Sequence, residues 1–241
     1  PREFTWYSGL ILLVICLGFG FTGYLLPWDD VSFFATKIGL DIASKMPVFG
    51  EAAASMLRGG HNIGQGTLSR FFMIHVAVLP LLCLGLMALH LLFVQMHGMS
   101  EPAYFKKLEA AKRTYEKFFP NFFLKDLLVW LLALNGLAAL VTLYPWGLGP
   151  EADPFGAAPL GIKPEWYFLA PFQFLKLVPP QIGPIEGELF GALLMVVACS
   201  GMVIVPFFDK GESAGKAKIA TYYGLVLLLG IIAFTIWGAL S

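Results

Sequence analysis

The sequence predicts an all-α integral membrane protein, and its composition is the first reason. Of its 241 residues, 58% are hydrophobic and 13% are charged, against roughly a quarter charged in a typical soluble domain. The mean hydropathy is +0.74. A chain with so little polar surface cannot cover itself in water, which excludes a soluble enzyme, a disordered segment and a disulfide-rich module. Because 16 basic residues balance 16 acidic ones, no net charge attracts nucleic acid.

Five apolar stretches predict five membrane-spanning helices. A helix crosses about 30 Å of hydrocarbon with about 20 residues, and backbone polar groups inside lipid must find partners within the helix. The stretches are Trp6–Leu26, Phe71–Met96, Leu127–Tyr144, Leu189–Phe208 and Ala220–Leu240. Pro80 and Pro206 interrupt two of them, which membrane helices tolerate.

The loops between the spans predict the orientation. Six Lys or Arg residues lie in 97–126 and three in 209–219, whereas the longer loops 27–70 and 145–188 hold four and two. By the positive-inside rule, the basic loops face the cytoplasm-like, electrochemically negative (n) side. The N-terminus then lies on the n side, and the C-terminus lies with the two long loops on the positive (p) side. Loops of this length suggest a function.

Three parts are expected along the chain: residues 1–97 with the first two spans, an n-side linker at 98–126, and residues 127–241 with the last three spans. Glu, Lys and Ala dominate Ala103–Lys117 and predict a solvated helix in the linker. The three cysteines are far apart in apolar runs and form no CxxC pair. They are predicted to be buried apolar residues and not ligands.

Two histidines lie inside the second span, which has no Asp, Glu, Lys or Arg. His75 and His90 are fifteen residues apart, which corresponds to about 22 Å along a helix and about 60° around it. Both can therefore face one bundle interior, near opposite membrane surfaces. This separation suits two stacked haems that each take one imidazole; the alternative is a pair of hydrogen-bonded core histidines. His61 and His97 lie outside the apolar stretch.

The first span contains glycines that fit a haem but have a second explanation. Gly9 and Gly23 are fourteen residues apart and lie on nearly the same helix face. Glycine lets a flat macrocycle approach the backbone, yet Gly18, Gly20 and Gly23 would equally serve helix packing. Arg70, at the p-side mouth of the second span, could pair with a haem propionate or anchor the helix at the interface.

Three segments carry a family resemblance: TGYLLPWDDVSFFATKI (Thr22–Ile38), GQGTLSRFFMIHVAVLPLL (Gly64–Leu82) and PEWYF (Pro164–Phe168). In this order they resemble the cytochrome b of the Rieske–cytochrome b (cytochrome bc) quinol oxidoreductases, over nearly the whole chain. PEWY in a proline-rich p-side loop is highly specific when it follows such a histidine pair. The histidine spacing and the LPWD string resemble the chloroplast and cyanobacterial type more than the mitochondrial type.

The resemblance implies that the five spans are the family's helices C to G. In the family, helix B supplies the second axial histidine of each haem. His75 would then ligate the p-side haem b and His90 the n-side haem b, each shared with a histidine outside this sequence. Arg70, Gly9 and Gly23 would also contact haem. We expect helices A and B on a separate polypeptide or on a further segment of this one.

The resemblance also implies a Q cycle with proton translocation. Quinol is oxidised near the p side; one electron goes to a Rieske iron–sulfur protein and a c-type cytochrome, and the other crosses through two haems to a quinone on the n side. The chain would act as a subunit of a quinol–cytochrome c (or equivalent acceptor) reductase and would not be active alone. The complex is expected to be a dimer in a bacterial inner membrane or a thylakoid-type membrane.

Quinol oxidation needs a proton acceptor where water is scarce, and Glu165 in PEWY is the candidate. Tyr24 is expected to line the same pocket, and the PEWY residues Pro164, Trp166 and Tyr167 are expected to contact the quinone. Without the resemblance, Glu165 would be an ordinary loop acid. The alternative for Trp166 and Tyr167 is the interfacial aromatic belt, and for Trp166 this alternative stands even within the resemblance.

On the n side, the resemblance places quinone reduction at Lys125 and Asp126, although Asp126 also suits helix capping and the helix dipole. Gln95 stands where the mitochondrial type has a histidine. Two other functions compete with the resemblance. A dihaem anchor of a dehydrogenase or hydrogenase would not account for PEWY, and a haem-free transporter would require broken helices or acidic residues at the midplane.

Overall fold

The computed structural model describes residues 2–98, 101, 105, 107–145, 147–208 and 214–241. Five helices in this part of the chain are long and apolar enough to cross a membrane, which confirms the predicted all-α membrane fold. In chain order the helices are α1 Glu3–Tyr24, α2 Asp30–Ser44, α3 Gly50–Arg58, α4 Gln65–Met73, α5 Leu79–His97, α6 Phe123–Leu143, α7 Trp166–Leu177, α8 Gly187–Phe208 and α9 Ala214–Leu240. A π-helical turn, Ile74–Val78, joins α4 and α5 into one span.

The chain divides into two compact units. Residues 1–97 and 149–241 form the first, which contains α1 to α5 and α7 to α9. Residues 98–148 form the second, in which the π-helical turn Phe118–Phe122 leads into α6. The division expected at residues 97 and 126 separates functional parts and not compact units, and it stays a prediction.

The solvated helix predicted over Ala103–Lys117 is only partly formed where the chain is described. Residues 105 and 107 are helical, Ala110–Lys112 forms a single 3₁₀ turn, and residues 113–117 form no helix. Residues 103–104 and 106 of the predicted helix lie outside the described residues. A short run of helix-forming residues is marginal in water unless it buries an apolar face, and residues 112–117 are exposed apart from the half-buried Arg113.

Polar contacts tie the spans of the first unit together. The indole Nε1 of Trp6 donates to the carbonyl of Met202 at 2.8 Å, and the hydroxyl of Tyr7 donates to the carbonyl of Val203 at 3.1 Å. These bonds attach the start of α1 to the second half of α8, and α9 packs along α7 and α8. Lipid offers no competing partner, so such bonds persist in a bilayer.

The spans expose most of their large apolar side chains, which suits contact with lipid. The buried core lies instead where the chain leaves the predicted membrane region, and it consists of Leu25, Phe33, Phe34, Leu40, Ile63, Phe71 and Ala152. Cys16 and Cys199 are exposed and Cys83 is half-buried. The prediction of buried cysteines is therefore wrong, because these residues lie on the outer faces of apolar helices.

The LPWDD segment is a structural junction. The carboxylate of Asp29 accepts a hydrogen bond from the backbone N–H of Ser32 at 2.8 Å, and the Asp29 N–H donates to the Ser32 hydroxyl at 3.2 Å. This capping box begins α2. The N–H of Asp30 donates to the carbonyl of Pro150 at 3.1 Å, and its carboxylate accepts from the N–H of Asp153 at 3.0 Å. These bonds attach the loop that leads to PEWY.

Lys45 makes a second cross-connection at the other end of α2. Strands β1 (Gln181–Ile182) and β2 (Ile185–Glu186) pair as a short antiparallel hairpin before α8. The Lys45 ammonium lies 2.7 Å from the carboxylate of Glu188 and 2.9 Å from that of Glu186. Hydrogen bonds to Glu188 and then to Glu186 raise the pKa of Lys45, so this cation keeps its charge at any physiological pH.

Replacing Asp29 should test the capping box. Asp29→Ala removes the acceptor for an orphan helix N–H and is expected to destabilise the fold by about 1 kcal/mol. Asp29→Asn keeps an acceptor oxygen and should melt close to the wild-type temperature. Thermal unfolding of the detergent-solubilised protein measures both variants. Equal losses in the two variants would show that the charge of Asp29, and not its capping bond, stabilises this end of α2.

Candidate functional site at the first helix

His75 lies in the π-helical turn Ile74–Val78, between α4 and α5. The N–H of Leu79 donates to the carbonyl of Ile74, five residues back instead of four. Pro80 follows directly and has no N–H with which to continue an α-helical ladder. Single π-helical turns of this kind are frequent at functional sites. This one inserts an extra residue into the helix between the two histidines of the span.

Both imidazoles of the span face α1, where a hydroxyl group contacts each of them. The Oγ1 of Thr22 lies 3.0 Å from Nδ1 of His75, and the Oγ of Ser8 lies 2.9 Å from Nδ1 of His90. The ring of Phe19 meets the ring of His75 edge-on, with centroids 5.4 Å apart. The two imidazoles are half-buried. The histidines thus turn to one neighbouring helix.

The π-helical turn reconciles two unequal spacings. Ser8 and Thr22 are fourteen residues apart on α1, whereas their partners His90 and His75 are fifteen residues apart. Two antiparallel α-helices have the same rise per residue, so contacts at two levels require equal spacings. The π-helical turn absorbs the additional residue. In an uninterrupted α-helix, one imidazole would be rotated by about 100° away from its partner.

Two glycines lie beside the imidazoles. A Cβ on Gly23 would lie 2.6 Å from Cε1 of His75, closer than side chains tolerate, whereas a Cβ on Gly9 would make an ordinary contact of 3.4 Å with Cε1 of His90. Helix α1 therefore presents a hydroxyl residue followed by a glycine at each of two levels. The predicted site residues Gly9 and Gly23 do lie beside the histidines, and their contact with haem stays a prediction.

The geometry fits the haems that the family resemblance implies. The Nδ1 atom of each of His75 and His90 is hydrogen-bonded to a hydroxyl group. Within the described part of the chain, the Nε2 atom of neither histidine has a hydrogen-bond partner. A neutral imidazole that is held through one nitrogen offers the other as a metal ligand. The residues present can thus supply one axial ligand at each of two levels.

Arg70 has a backbone partner within the first unit. Its guanidinium donates to the carbonyl of Met56 and lies against Gly59, whose φ of 73° ends α3. Arg70 thereby ties α3 to α4, and its contact with a propionate stays a prediction. Of the remaining histidines, His61 is exposed, and the ring of His97 donates to a backbone carbonyl one turn back at 2.8 Å.

An apolar cavity of about 360 Å³ lies against α1, α2 and α7. It brings Tyr24 together with Glu165, as the resemblance implies, and Pro164 and Tyr167 also line it. Its other lining residues are Phe21, Ala35, Thr36, Ile38, Gly39, Ile42, Ile162, Phe168, Pro171, Phe172, Leu175 and Met195. Among these described residues Glu165 alone carries a charge. Such a volume is typical of pockets for small organic ligands.

Glu165 stands at the N-terminus of α7, where the PEWY segment turns into the helix. Its side chain is exposed and does not cap the helix, and its carboxylate accepts no hydrogen bond from the residues that the structure describes. A carboxylate without fixed partners at the rim of an apolar cavity can accept a proton and turn towards water.

Tyr167 connects the PEWY helix to α1. Its hydroxyl donates to the carbonyl of Gly20 at 3.2 Å, and a Cβ on Gly20 would lie 2.7 Å from its ring. Burial, and then the Glu165 carboxylate, raise the pKa of Tyr167, so this hydroxyl remains a donor near neutral pH. Trp166 is 70% exposed and does not line the cavity.

Lys125 and Asp126 belong to the second unit, in the first turns of α6. The Lys125 ammonium lies 2.5 Å from the carboxylate of Glu116. The N-cap of α6 is Phe122, so Asp126 does not cap this helix, although its charge in the first turn complements the helix dipole. The role of both residues in quinone reduction stays a prediction.

Three residues contribute to the site although the sequence did not predict their contacts. Ser8 and Thr22 contact the histidines, and Gly20 receives the ring and hydroxyl of Tyr167. One signal was present in the sequence: a hydroxyl residue stands directly before Gly9 and again before Gly23. The approach of Tyr167 to Gly20 left no local signal, since 147 residues separate them.

A methyl group at Gly20 should displace Tyr167. Gly20→Ala places a Cβ within 2.7 Å of the aromatic ring and is expected to destabilise the first unit by about 1–3 kcal/mol. Gly18→Ala is the matched control on the same helix, because its Cβ would make ordinary contacts of 3.6 Å with Leu79. Thermal unfolding in detergent compares the two. Similar melting temperatures would mean that Tyr167 does not depend on the bare backbone at Gly20.

Comparisons with known proteins place this geometry in a family. Residues 1–151 match the family model described as cytochrome b(N-terminal)/b6/petB, and residues 151–241 match the one described as cytochrome b(C-terminal)/b6/petD. A cytochrome bc complex cytochrome b subunit of Chlorobaculum thiosulfatiphilum is 42% identical over 98% of this chain and 54% of its own length. A cytochrome b of Myxine glutinosa is 33% identical over 86% of this chain and 52% of its own length.

A solved structure agrees with these relatives. A chain of a hyperthermophilic respiratory Complex III superposes with a TM-score of 0.75 at 25% identity, over 99% of this chain and 63% of that chain. The chain spans about half the length of the curated relatives it matches. Because the two family models together cover the whole sequence, and the solved structure shares its helical arrangement, the chain belongs to the cytochrome b family.

Proposed function

We propose that this chain is the part of a cytochrome b that comprises the family's helices C to G, within a quinol–cytochrome c (or equivalent acceptor) oxidoreductase that runs a Q cycle with proton translocation. One observation carries the proposal. The last turns of α1 contact the imidazole of His75 through Thr22 and also line the apolar cavity through Phe21 and Tyr24. A redox centre at this histidine and a substrate in the cavity would be immediate neighbours.

Two b haems are proposed, with His75 as one axial ligand on the p side and His90 on the n side. The second ligand of each would come from a helix-B histidine outside this sequence. Haem, when bound, supplies an iron that takes up and passes on single electrons. The chain's own contribution is a free Nε2 atom at each level, bare backbone at Gly9 and Gly23, and the cation of Arg70 for a propionate.

Quinol is proposed to bind in the apolar cavity of the first unit. The cavity walls are almost entirely apolar, which disfavours water, and Pro164 and Tyr24 would bound the quinol ring. Glu165 would accept a hydroxyl proton and rotate towards the p side to release it, since its carboxylate has no bond that fixes it. Tyr167 would keep its structural bond to α1 throughout, and Trp166 would lie at the outer edge of the site.

The remaining parts of the proposal concern the membrane and the partners. The N-terminus would lie on the n side and the C-terminus on the p side of an energy-transducing membrane. Lys125 and Asp126 would take part in quinone reduction on the n side. The partners would be a segment with helices A and B, a Rieske iron–sulfur protein and a c-type cytochrome, in a dimeric complex nearer the chloroplast and cyanobacterial type than the mitochondrial type.

Glu165→Gln tests the proton acceptor. The amide cannot accept a proton, so quinol oxidation is expected to slow by about 10²–10⁴-fold, which is the range that general bases contribute. Both haem spectra should stay intact. Glu151→Gln is the matched control, because Glu151 is exposed in the same long loop and does not line the cavity. A normal rate of quinol oxidation in Glu165→Gln would remove Glu165 from the mechanism.

Haem content tests the redox centres. A complex purified through this chain should hold two b-type haems per copy, measured from the reduced-minus-oxidised spectrum. Gly23→Ala should lose the p-side haem, because a Cβ would collide with the imidazole of His75. Gly18→Ala should keep both haems, since its Cβ has room. A wild-type complex with no haem would overturn the proposed function.

A further inference from the structure

The hydroxyl groups of Ser8 and Thr22 each donate a hydrogen bond to the backbone of α1. The hydroxyl of Thr22 donates to the carbonyl of Gly18 at 2.8 Å, and that of Ser8 donates to the carbonyl of Thr5 at 3.0 Å. A hydroxyl has one proton to donate and two lone pairs that accept. With its proton engaged in the backbone of α1, each oxygen can meet an imidazole nitrogen only as an acceptor.

This direction determines the state of each imidazole. The Nδ1 atoms lie 3.0 Å and 2.9 Å from the two oxygens, so with both hydroxyl protons on the backbone each Nδ1 acts as the donor. In a neutral imidazole the Nε2 atom then holds the free lone pair. The two hydroxyl groups thereby select the tautomer of His75 and of His90 that can bind iron through Nε2.

The arrangement is specific to these two positions. Thr22 is 5% exposed and Ser8 is 4% exposed, so neither hydroxyl has water or lipid as an alternative partner. Thr142 and Ser200 make the same kind of bond to their own helices, at 2.8 Å and 2.7 Å, and in the described structure neither contacts a histidine. Hydroxyl bonds to the helix backbone are therefore ordinary in this chain, whereas the additional bond to an imidazole is a feature of the site.

We propose that Ser8 and Thr22 are positioning residues for the two histidines, which orient each imidazole, fix its tautomer and set the electron-donating strength of its Nε2 towards haem iron. This inference rests on the proposed function. A hydrogen bond from the far nitrogen of a ligating histidine makes the ligand more basic. A more basic ligand favours ferric iron, so loss of the bond raises the midpoint potential of the haem on that histidine.

The test is a redox titration of the b haems in the intact complex. Thr22→Val should raise the potential of one haem component, and Ser8→Ala should raise the potential of the other. Each substitution should leave the other component unchanged. Thr22→Ser and Ser8→Thr keep a hydroxyl group and should restore the wild-type potentials. Thr142→Val and Ser200→Ala remove hydroxyl groups that contact no histidine and should change neither component.

The outcomes separate the inference from the proposed function. Wild-type complex without b haem would overturn the proposed function and this inference with it. Wild-type haem content together with unshifted potentials in Thr22→Val and Ser8→Ala would overturn the inference alone. Equal loss of both haems in either variant, or shifts of the same size in Thr142→Val and Ser200→Ala, would also overturn it, because the hydroxyl groups would then act on the fold and not on a particular histidine.

Discussion

A polar side chain inside a membrane span must find its partner within the protein, and this constraint sets the register of the first unit. Lipid offers neither the ring of His75 nor the hydroxyl of Thr22 a hydrogen bond, so the two groups meet each other at 3.0 Å. The same holds for His90 and Ser8 at the other end of the span. Two such contacts fix both the height and the rotation of the second span against α1. The π-helical turn follows from them, since it lets a spacing of fifteen residues meet a spacing of fourteen.

The long loops follow a different rule, because backbone groups there can also bond to water. Asp29 and Asp30 use their charges to cap α2 and to attach the loop before PEWY. Lys45 does the same for the hairpin before α8. The charged residues of LPWDD, a prominent motif in the sequence, therefore stabilise the scaffold around the cavity. The cavity wall itself consists almost entirely of apolar and aromatic side chains, with Glu165 as its charged exception.

Much of the fold could be predicted from the sequence, because membrane spans depend on local hydropathy, whereas the π-helical turn that sets the two histidines against α1 could not. The meeting of Tyr24 and Glu165 could be predicted only from the resemblance, since it depends on chain segments far apart in sequence. The predicted helix over Ala103–Lys117 does not extend over residues 113–117, because propensity without a buried face does not decide structure. Arg70 shows a further limit of prediction from the sequence. Its position in the sequence suits contact with a haem propionate, but its hydrogen bond to the Met56 carbonyl depends on where α3 ends.

The final turns of α1 serve two neighbouring sites with different residues, which makes the sites separable. Thr22 and Gly23 turn to His75, whereas Gly20 receives Tyr167, and Phe21 and Tyr24 line the cavity. Successive residues of a helix point about 100° apart, so residues within a single turn reach different neighbours. A rigid helix therefore keeps the distance between the histidine and the cavity constant. The proposed electron transfer would benefit from such a fixed distance, while Glu165, the proposed proton acceptor, lies outside α1 and has no side-chain bond to the end of α7.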